Sequence, residues 1–363
     1  MPGRCPPRRQ VMWTFETMLS RASGWLDASG PESDVVLSTR VRLARNLADW
    51  SFPCCCGSDS AVEVRERVLS AVSRSNYLAN ALVLNMEDVD PHTRRVLVER
   101  HLISSAFAED APGRACVAGE SELVSAMVNE EDHVRLQCIR SGLEPVEACR
   151  LVERVDSELE RNLHYAFCSD WGFLTACPTN VGTGIRVSVL THLAGLARTG
   201  RISSVLKSVS KLGQSVRGFY GEGSAAQGGF FQISNHTTLG QSEEDIANTV
   251  ERVAGRLVAL EREARDELLR RDEHRLEDEI WRARGVLANA RMISSAEVME
   301  LASSLRLGAA LGMTEAPDLA ALNRLMVVTQ PGHLSRTRGS ATTARERDIA
   351  RADLVRKTMA GVN

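Results

Sequence analysis

From Ser242 onward, apolar residues recur with helical spacing over an unusual length. Ile246, Val250, Val253, Leu257, Leu260, Ala264 and Leu268 step by 4, 3, 4, 3, 4 and 4. Residues spaced this way share one face of a helix, so the stretch predicts a long amphipathic helix needing a broad apolar surface. Charged residues then dominate to Arg284 and helical spacing continues to Leu307. The expected division is a mixed domain over 13–264 and an all-α domain over 265–363, with the boundary near Arg265.

Upstream the period changes. In Val35 to Leu43, residues Val35, Leu37, Val41 and Leu43 point one way and Ser38, Arg40 and Arg42 the other. That alternation predicts a half-buried strand presenting two arginines from one face. Val124 to Arg140 holds a second alternating segment. Val134, Leu136 and Cys138 fall on one face, and Glu131, His133, Arg135 and Gln137 on the other. Trp13 to Leu26 has helical spacing, ended by Gly30-Pro31. A Gly/Thr-rich loop and then a helix are expected between Trp171 and Leu196. Gly218 to Ser234 is glycine-rich and ends strand-like at Gly229 to Ile233.

Composition excludes several classes. Net charge is -3 over 363 residues, which gives no nucleic-acid footprint. No apolar run reaches the roughly 18 residues of a membrane helix. Met1 to Gln10, with Pro6-Pro7 and Arg8-Arg9, lacks a secretory apolar run. Residues 1–12 read as a disordered tail, or as sequence ahead of a true start at Met12. The nine cysteines are Cys5, Cys54, Cys55, Cys56, Cys116, Cys138, Cys149, Cys168 and Cys177. They form no CxxC pair, so no zinc site is expected, and a cytoplasmic protein with reduced, mostly buried thiols is.

Arginine dominates the residues that could carry chemistry. Arg40 and Arg42 share a strand face, Arg135 lies on another, Arg186 follows Cys177-Pro178-Thr179-Asn180-Val181-Gly182-Thr183-Gly184, and Arg217 precedes Gly218. A planar guanidinium donates paired charge-assisted hydrogen bonds to phosphate oxygens. Several around a triphosphate would stabilise transferring charge. Singly, each reads better as a surface charge. There is no GxxxxGK[ST] loop and no GxGxxGxV with HRD. Asn129-Glu130-Glu131-Asp132-His133 concentrates acids, and alone it reads as a solvated turn. Glu222 sits between Gly221 and Gly223, and Cys177 precedes a proline.

Taken together, these segments resemble the guanidino kinase (phosphagen kinase) family. The resemblance rests on Ser38-Thr39-Arg40-Val41-Arg42, Asn129 to Arg135, Cys177 to Arg186, and Arg217-Gly218-Phe219-Tyr220-Gly221-Glu222, in the family's order. It is closest to the bacterial protein arginine kinase branch. Gly30-Pro31-Glu32-Ser33, Arg100-His101-Leu102-Ile103-Ser104, Gly285-Val286-Leu287, Asn289-Ala290-Arg291 and Arg347-Asp348-Ile349-Ala350-Arg351-Ala352 are similar to that branch.

The resemblance implies an α+β fold, an antiparallel sheet flanked by helices and followed by the helical domain. It implies ATP-dependent phosphorylation of protein arginines. Arg40, Arg42, Arg135, Arg186 and Arg217 would clamp the ATP phosphates, and His101 would stack at the adenine. Glu131 and Glu222 would grip the guanidinium and accept its proton, with Cys177 beside it. Magnesium would arrive with ATP, and no protein metal site is implied. Arg347, Asp348 and Arg351 would bind phosphoarginine allosterically, and the helical domain would mediate a homodimer. The branch further implies marking of proteins for Clp-type proteolysis in stress-response quality control. Its typical partners are a zinc-containing activator, a Clp ATPase and a heat-shock repressor.

Small-molecule guanidino kinases carry a helical domain before the first arginine pair, whereas fewer than forty residues precede Arg40 here. That departure favours an open site for a protein-borne arginine. Tyr220, Leu190 and Gln232 replace residues of the small-molecule enzymes. Two alternatives stand beside this reading. One is a kinase for free arginine or another small guanidino compound, and the other is a phosphoarginine-binding adaptor without catalysis.

Overall fold

The structure is a computed structural model that describes residues 13–109, 111–218, 227–314, 317–338 and 343–361. The strands are β1 (Val36–Arg45), β2 (Leu82–Asn85), β3 (Ala115–Ala118), β4 (Val124–Val128), β5 (Val134–Ser141), β6 (Phe167–Cys168), β7 (Gly172–Phe173), β8 (Ile185–His192), β9 (Gln214–Arg217) and β10 (Phe230–Asn235). The helices of the sheet region are α1 (Phe15–Ser20), α2 (Ser58–Val72), α3 (Pro91–Glu99), α4 (Pro145–Glu160), α5 (Ala194–Arg198) and α6 (Ile202–Lys211). Then come α7 (Glu243–Asn289), α8 (Ser295–Ala310), α9 (Leu319–Val328), α10 (Pro331–Arg338) and α11 (Ala344–Met359).

Eight strands form one antiparallel sheet in the order β2-β3-β4-β5-β1-β8-β10-β9, and β6 pairs with β7 as a separate hairpin. The central strand β1 buries Val41 and Leu43 beside Leu136 and Cys138 of β5 and Val187 and Val189 of β8. Helices α4 and α7 cover that face with Val152, Val155, Val250, Ala254 and Leu257. Each fully buried aliphatic side chain contributes roughly 1.5–3 kcal/mol, so this layer fixes the sheet. The opposite face carries polar residues at its centre, flanked by smaller apolar clusters around Leu37 and Phe230 and around Cys116 and Met127.

The long helix begins where the apolar spacing places it. Ser242 caps α7, its hydroxyl accepting from the Asp245 amide. The helix kinks at Asp272, which leaves helical geometry. Its second half packs with α8–α11 around Ile280, Leu287, Leu305, Leu322 and Val355. This helical part is bound to the sheet by buried polar contacts. Arg306 donates to Ser33 O and to Asn323 Oδ1 (2.5 Å), and Asn323 donates to Leu26 O. No helix among the described residues is long and apolar enough to cross a membrane.

Several expectations are corrected. Leu37 does not join Val41 and Leu43. A bulge between Val36 and Ser38 sends it to the other side, where it packs with Leu190, Phe230 and Met299. The segment expected to be helical after the 171–184 loop is mostly strand β8, because Ile185, Val187 and Val189 carry a β-branched period of two. A helix follows only at Ala194. The first helix is short. Arg100 donates to the carbonyls of Met18 and Arg21, closing α1 there, and a 3-10 turn takes Gly24–Leu26. The thiols are not mostly buried. Cys116, Cys138 and Cys149 are, whereas Cys54 and Cys55 are exposed in a surface turn and Cys56, Cys168 and Cys177 are partly so.

Candidate active site

The polar face of the sheet collects arginines from four strands. Arg40 and Arg42 come from β1, Arg135 from β5, Arg186 from β8 and Arg217 from β9. Arg42 is paired directly with Arg186 and Arg135 with Ala44, the next outward position on β1. All five arginines line one open cleft of about 1480 Å³. Like charges opposite one another destabilise a sheet. Burial followed by the Arg135 and Arg186 charges pushes the Arg40 guanidinium down to about 10. Arg42 is likewise pushed well down, by burial and by Arg40, Arg135 and Arg186. Its Nε is buried without a hydrogen-bond partner. A polyanion such as a triphosphate is the chemistry that would relieve both the repulsion and the orphaned donor. The arginine set therefore fits nucleotide phosphates.

The acidic segment 129–133 is the turn joining β4 to β5. Asn129 adopts a positive φ of 60°, which asparagine tolerates, and its side chain donates to Ala61 O and Gly113 O. Glu131 therefore projects from a turn, not from the β5 strand face expected for it. The turn is also less solvated than its composition suggests. Asp132 and His133 are buried: Asp132 Oδ1 accepts from Asn46 Nδ2 (2.6 Å) and the Ala176 amide (2.7 Å), and His133 Nδ1 accepts from the Leu47 amide (3.0 Å).

Glu130, not Glu131, pairs with Arg135, and it also accepts from Ser104 Oγ (2.5 Å). Burial would raise the Glu130 carboxyl, but Arg135 and Ser104 outweigh it and hold it low. Partial desolvation, with Asp132 and Glu130 nearby, raises Glu131 above its ordinary 4.5 in spite of Arg135. A carboxylate shifted that way is the better proton acceptor. The Cys177 thiol lies 3.0 Å from Thr179 Oγ1 and close enough to Glu131 to favour its ionised form. Glu131 and Cys177 thus meet at the lip of the arginine cleft.

His101 lines the same cleft, its backbone at φ 60° and its carbonyl accepting from Gln137 Nε2 (2.8 Å). Burial and then Arg40 and Arg42 push its imidazole down to about 3, so it is neutral. Its ring meets Trp25 edge-on at 5.3 Å. A narrow slot opens beside it, lined by Trp25, Ser38, Ile139, Ser188, Leu190 and Gln232. Sequence reading missed Trp25 and the Glu130 pairing. Neither carries a local signal, since both depend on chain segments meeting in space.

Glu222 and Tyr220 lie outside the described residues. Arg347, Asp348 and Arg351 are on α11 and are not among the residues that line the cleft. Arg351 is buried, with Nε on Thr329 O (2.8 Å) and one terminal nitrogen shared by Ile293 O (2.9 Å) and Asp348 (2.5 Å). Among the described residues no group of three or more His, Cys, Asp or Glu side chains could hold a metal.

Comparison with known proteins places these features. Residues 63–264 match the C-terminal catalytic domain of ATP:guanido phosphotransferases, and residues 273–363 match the C-terminal domain of the protein-arginine kinase McsB. The protein-arginine kinase of Geobacillus sp. (strain WCH70) is 43% identical over 349 residues, spanning 95% of this chain and 96% of that protein. That of Moorella thermoacetica is 45% identical over 346 residues, spanning 94% and 99%. Lombricine kinase has the same fold at 23% identity, with a TM-score of 0.57 over 65% of this chain and 70% of that one. The sheet carrying the arginines, the Cys177 loop and the helical region after α7 thus have one common explanation: the chain belongs to the ATP:guanido phosphotransferase family and resembles its protein-arginine kinases along nearly its whole length.

Proposed function

We propose that this enzyme transfers the γ-phosphoryl group of ATP to the guanidino group of arginine side chains in proteins. The observation that carries the reading is the convergence of Arg40, Arg42, Arg135, Arg186 and Arg217 on one cleft with Glu131 and Cys177 at its lip. The relatives' name as protein-arginine kinases supports a protein-borne acceptor.

The chemistry follows from the groups present. A guanidinium is protonated below about pH 12 and is a poor nucleophile. Glu131, raised in basicity, accepts its proton as the new N–P bond forms and the bond from the γ-phosphorus to the bridging oxygen breaks. Cys177, beside Glu131 at the cleft, would help position the guanidinium, and Glu222 would be a second carboxylate on it. The arginines hold the phosphates in line and neutralise the leaving ADP. Neutral His101, packed edge-on against the buried Trp25, would stack at the adenine. Mg²⁺ would arrive with ATP, held by its phosphates and water, and would neutralise their charge.

The wider reading follows the resemblance. The catalytic domain spans 13–264, and the helical domain over 265–363 would mediate a homodimer and bind phosphoarginine through Arg347, Asp348 and Arg351. The enzyme would act in the cytoplasm, marking proteins for a Clp-type protease under stress. A zinc-containing activator and a heat-shock repressor would be its partners.

The test is incubation with Mg-ATP and unfolded casein, alongside free arginine, followed by mass spectrometry without acid, because the N–P bond is acid-labile. Phosphate on casein arginines, lost in Glu131→Gln, is the expected result. Phosphate on free arginine alone would move the enzyme to small-molecule chemistry. Phosphate on neither would overturn the kinase assignment.

A further inference from the structure

Three large apolar side chains stand in solvent around one loop of the catalytic cleft. Phe167 is 60% exposed, Trp171 56% and Leu239 51%. Phe167 and Trp171 belong to the β6–β7 hairpin. Its base is rigid: Phe173 lies under the Arg45 guanidinium at 3.6 Å and edge-on to Phe167 at 5.3 Å, and Arg45 is held by Asp156. Phe173 also bridges to Gly182. A side chain at Gly182 would meet Thr238 O at 2.7 Å and the Leu239 Cα at 3.0 Å, so only glycine lets these segments close together. Thr238 Oγ1 donates to Thr179 O (3.0 Å) and Val181 O (2.7 Å). The same loop thus carries Cys177 and Thr179 toward the cleft and holds the apolar trio behind.

We propose that Phe167, Trp171 and Leu239 form a docking rim for apolar side chains flanking the target arginine, so that the enzyme favours non-native polypeptide segments. The proposal rests on the protein-arginine reading above. The rim is continuous with the cleft, because Thr179 and Asn180 line the cleft and Thr179 is bonded to Thr238 beside Leu239. An arginine reaching Glu131 and Cys177 brings its own chain across this loop. An extended chain advances about 3.3 Å per residue, so the next few side chains on one side fall over the rim. Folded proteins seldom expose clustered apolar side chains, whereas unfolded segments do. Exposed aromatics beside a polar cleft are the form that peptide-contacting anchors take. The hairpin base is already fixed, so little ordering would oppose binding.

The experiment uses the full chain and two synthetic peptides of equal length with one central arginine. One has Leu and Phe flanks and the other Gly and Ser flanks. Initial rates are read by acid-free mass spectrometry. Wild type should show a kcat/KM about 10-fold or more higher for the apolar-flanked peptide, through KM. The F167S/W171S double variant should bring the two peptides to parity by losing rate on the apolar one alone. Equal rates on both peptides in wild type, or an undiminished preference in the variant, would overturn the docking rim while leaving the kinase reading intact. Phosphate on neither peptide in wild type would sink both. If the double variant loses both peptides through misfolding, Leu239→Ser on the separate loop decides, and a full preference there overturns the proposal.

Discussion

Arg42 and Arg186 stand directly opposite each other on neighbouring strands, two guanidinium groups aimed at the same cleft. A sheet under selection for stability alone would place an opposite charge or an apolar pair there. Replacing Arg42 with Met should leave the ligand-free protein as stable as wild type or about 1 kcal/mol more so. The same change should abolish the rise in Tm on adding ATP and lower kcat about 10²–10³-fold. Thermal scans with and without nucleotide read both effects. A variant that is destabilised yet still responds to ATP would show that Arg42 serves the fold.

The pH profile follows from Glu131. It must be ionised to take a proton, and its pKa is raised by desolvation and by Asp132 and Glu130. Activity should therefore fall with decreasing pH, on a limb lying above the ordinary carboxylate value of 4.5. Asp132→Asn removes one neighbouring charge while its amide oxygen can still accept from Asn46 and Ala176. The acid limb should move to lower pH in that variant. An unmoved limb, measured as kcat against pH with the protein still folded, would remove Glu131 as the proton acceptor.

The fold's two large patterns are legible in the chain because each is local. The 3–4 spacing from Ile246 to Leu268 is one helix face, and Arg40 and Arg42 do leave β1 on one side. Leu37 is not legible, because a one-residue bulge reverses its direction with no change of composition. Cys177 and Glu131 are 46 positions apart and meet only through the Asp132 bond to the Ala176 amide. Glu130 rather than Glu131 reaches Arg135 because a tight turn, not a continuous strand, carries both glutamates. Local period describes elements, and the meeting of turns decides which carboxylate is spent on an ion pair.

Acid should unfold this protein early, because three histidines are held neutral in the fold. Burial, then neighbouring arginines, lowers His101 to about 3 and His192 well below 6.5, and burial lowers His133. In the unfolded chain each takes a proton near pH 6.5. Below that pH the unfolded state binds more protons, so stability is present above 6.5 and is lost as pH falls. Each group supplies up to about 1.4 kcal/mol per pH unit. His192 is fully buried, stacked on Phe230 at 4.6 Å and bonded to Ser303 Oγ (2.8 Å). His192→Gln should lower the slope of unfolding free energy between pH 6 and 5 by roughly a third. Urea titrations at three pH values suffice, and an unchanged slope would mean that His192 is protonated in the fold.

Arg347 and Arg351 lie one helical turn apart on α11 and should behave oppositely when replaced. Arg351 is 2% exposed and bonds Thr329 O, Ile293 O and Asp348, tying α11 to the end of α9 and the loop before α8. Truncating it leaves buried carbonyls without a donor, at a cost of roughly 2–3 kcal/mol. Arg347, half-buried near the start of the helix, has its backbone amide in the first turn, bonded to Thr343 O. Arg347 is half-buried rather than fully buried, so Arg347→Ala should lower Tm less than Arg351→Ala does. Titration calorimetry with phosphoarginine separates the roles. Binding lost in a still-folded Arg347→Ala would place the phosphate on Arg347, with Arg351 holding the helix that presents it. Binding retained in Arg347→Ala but lost in a still-folded Arg351→Ala would instead mean that Arg351 leaves its buried partners to take the ligand.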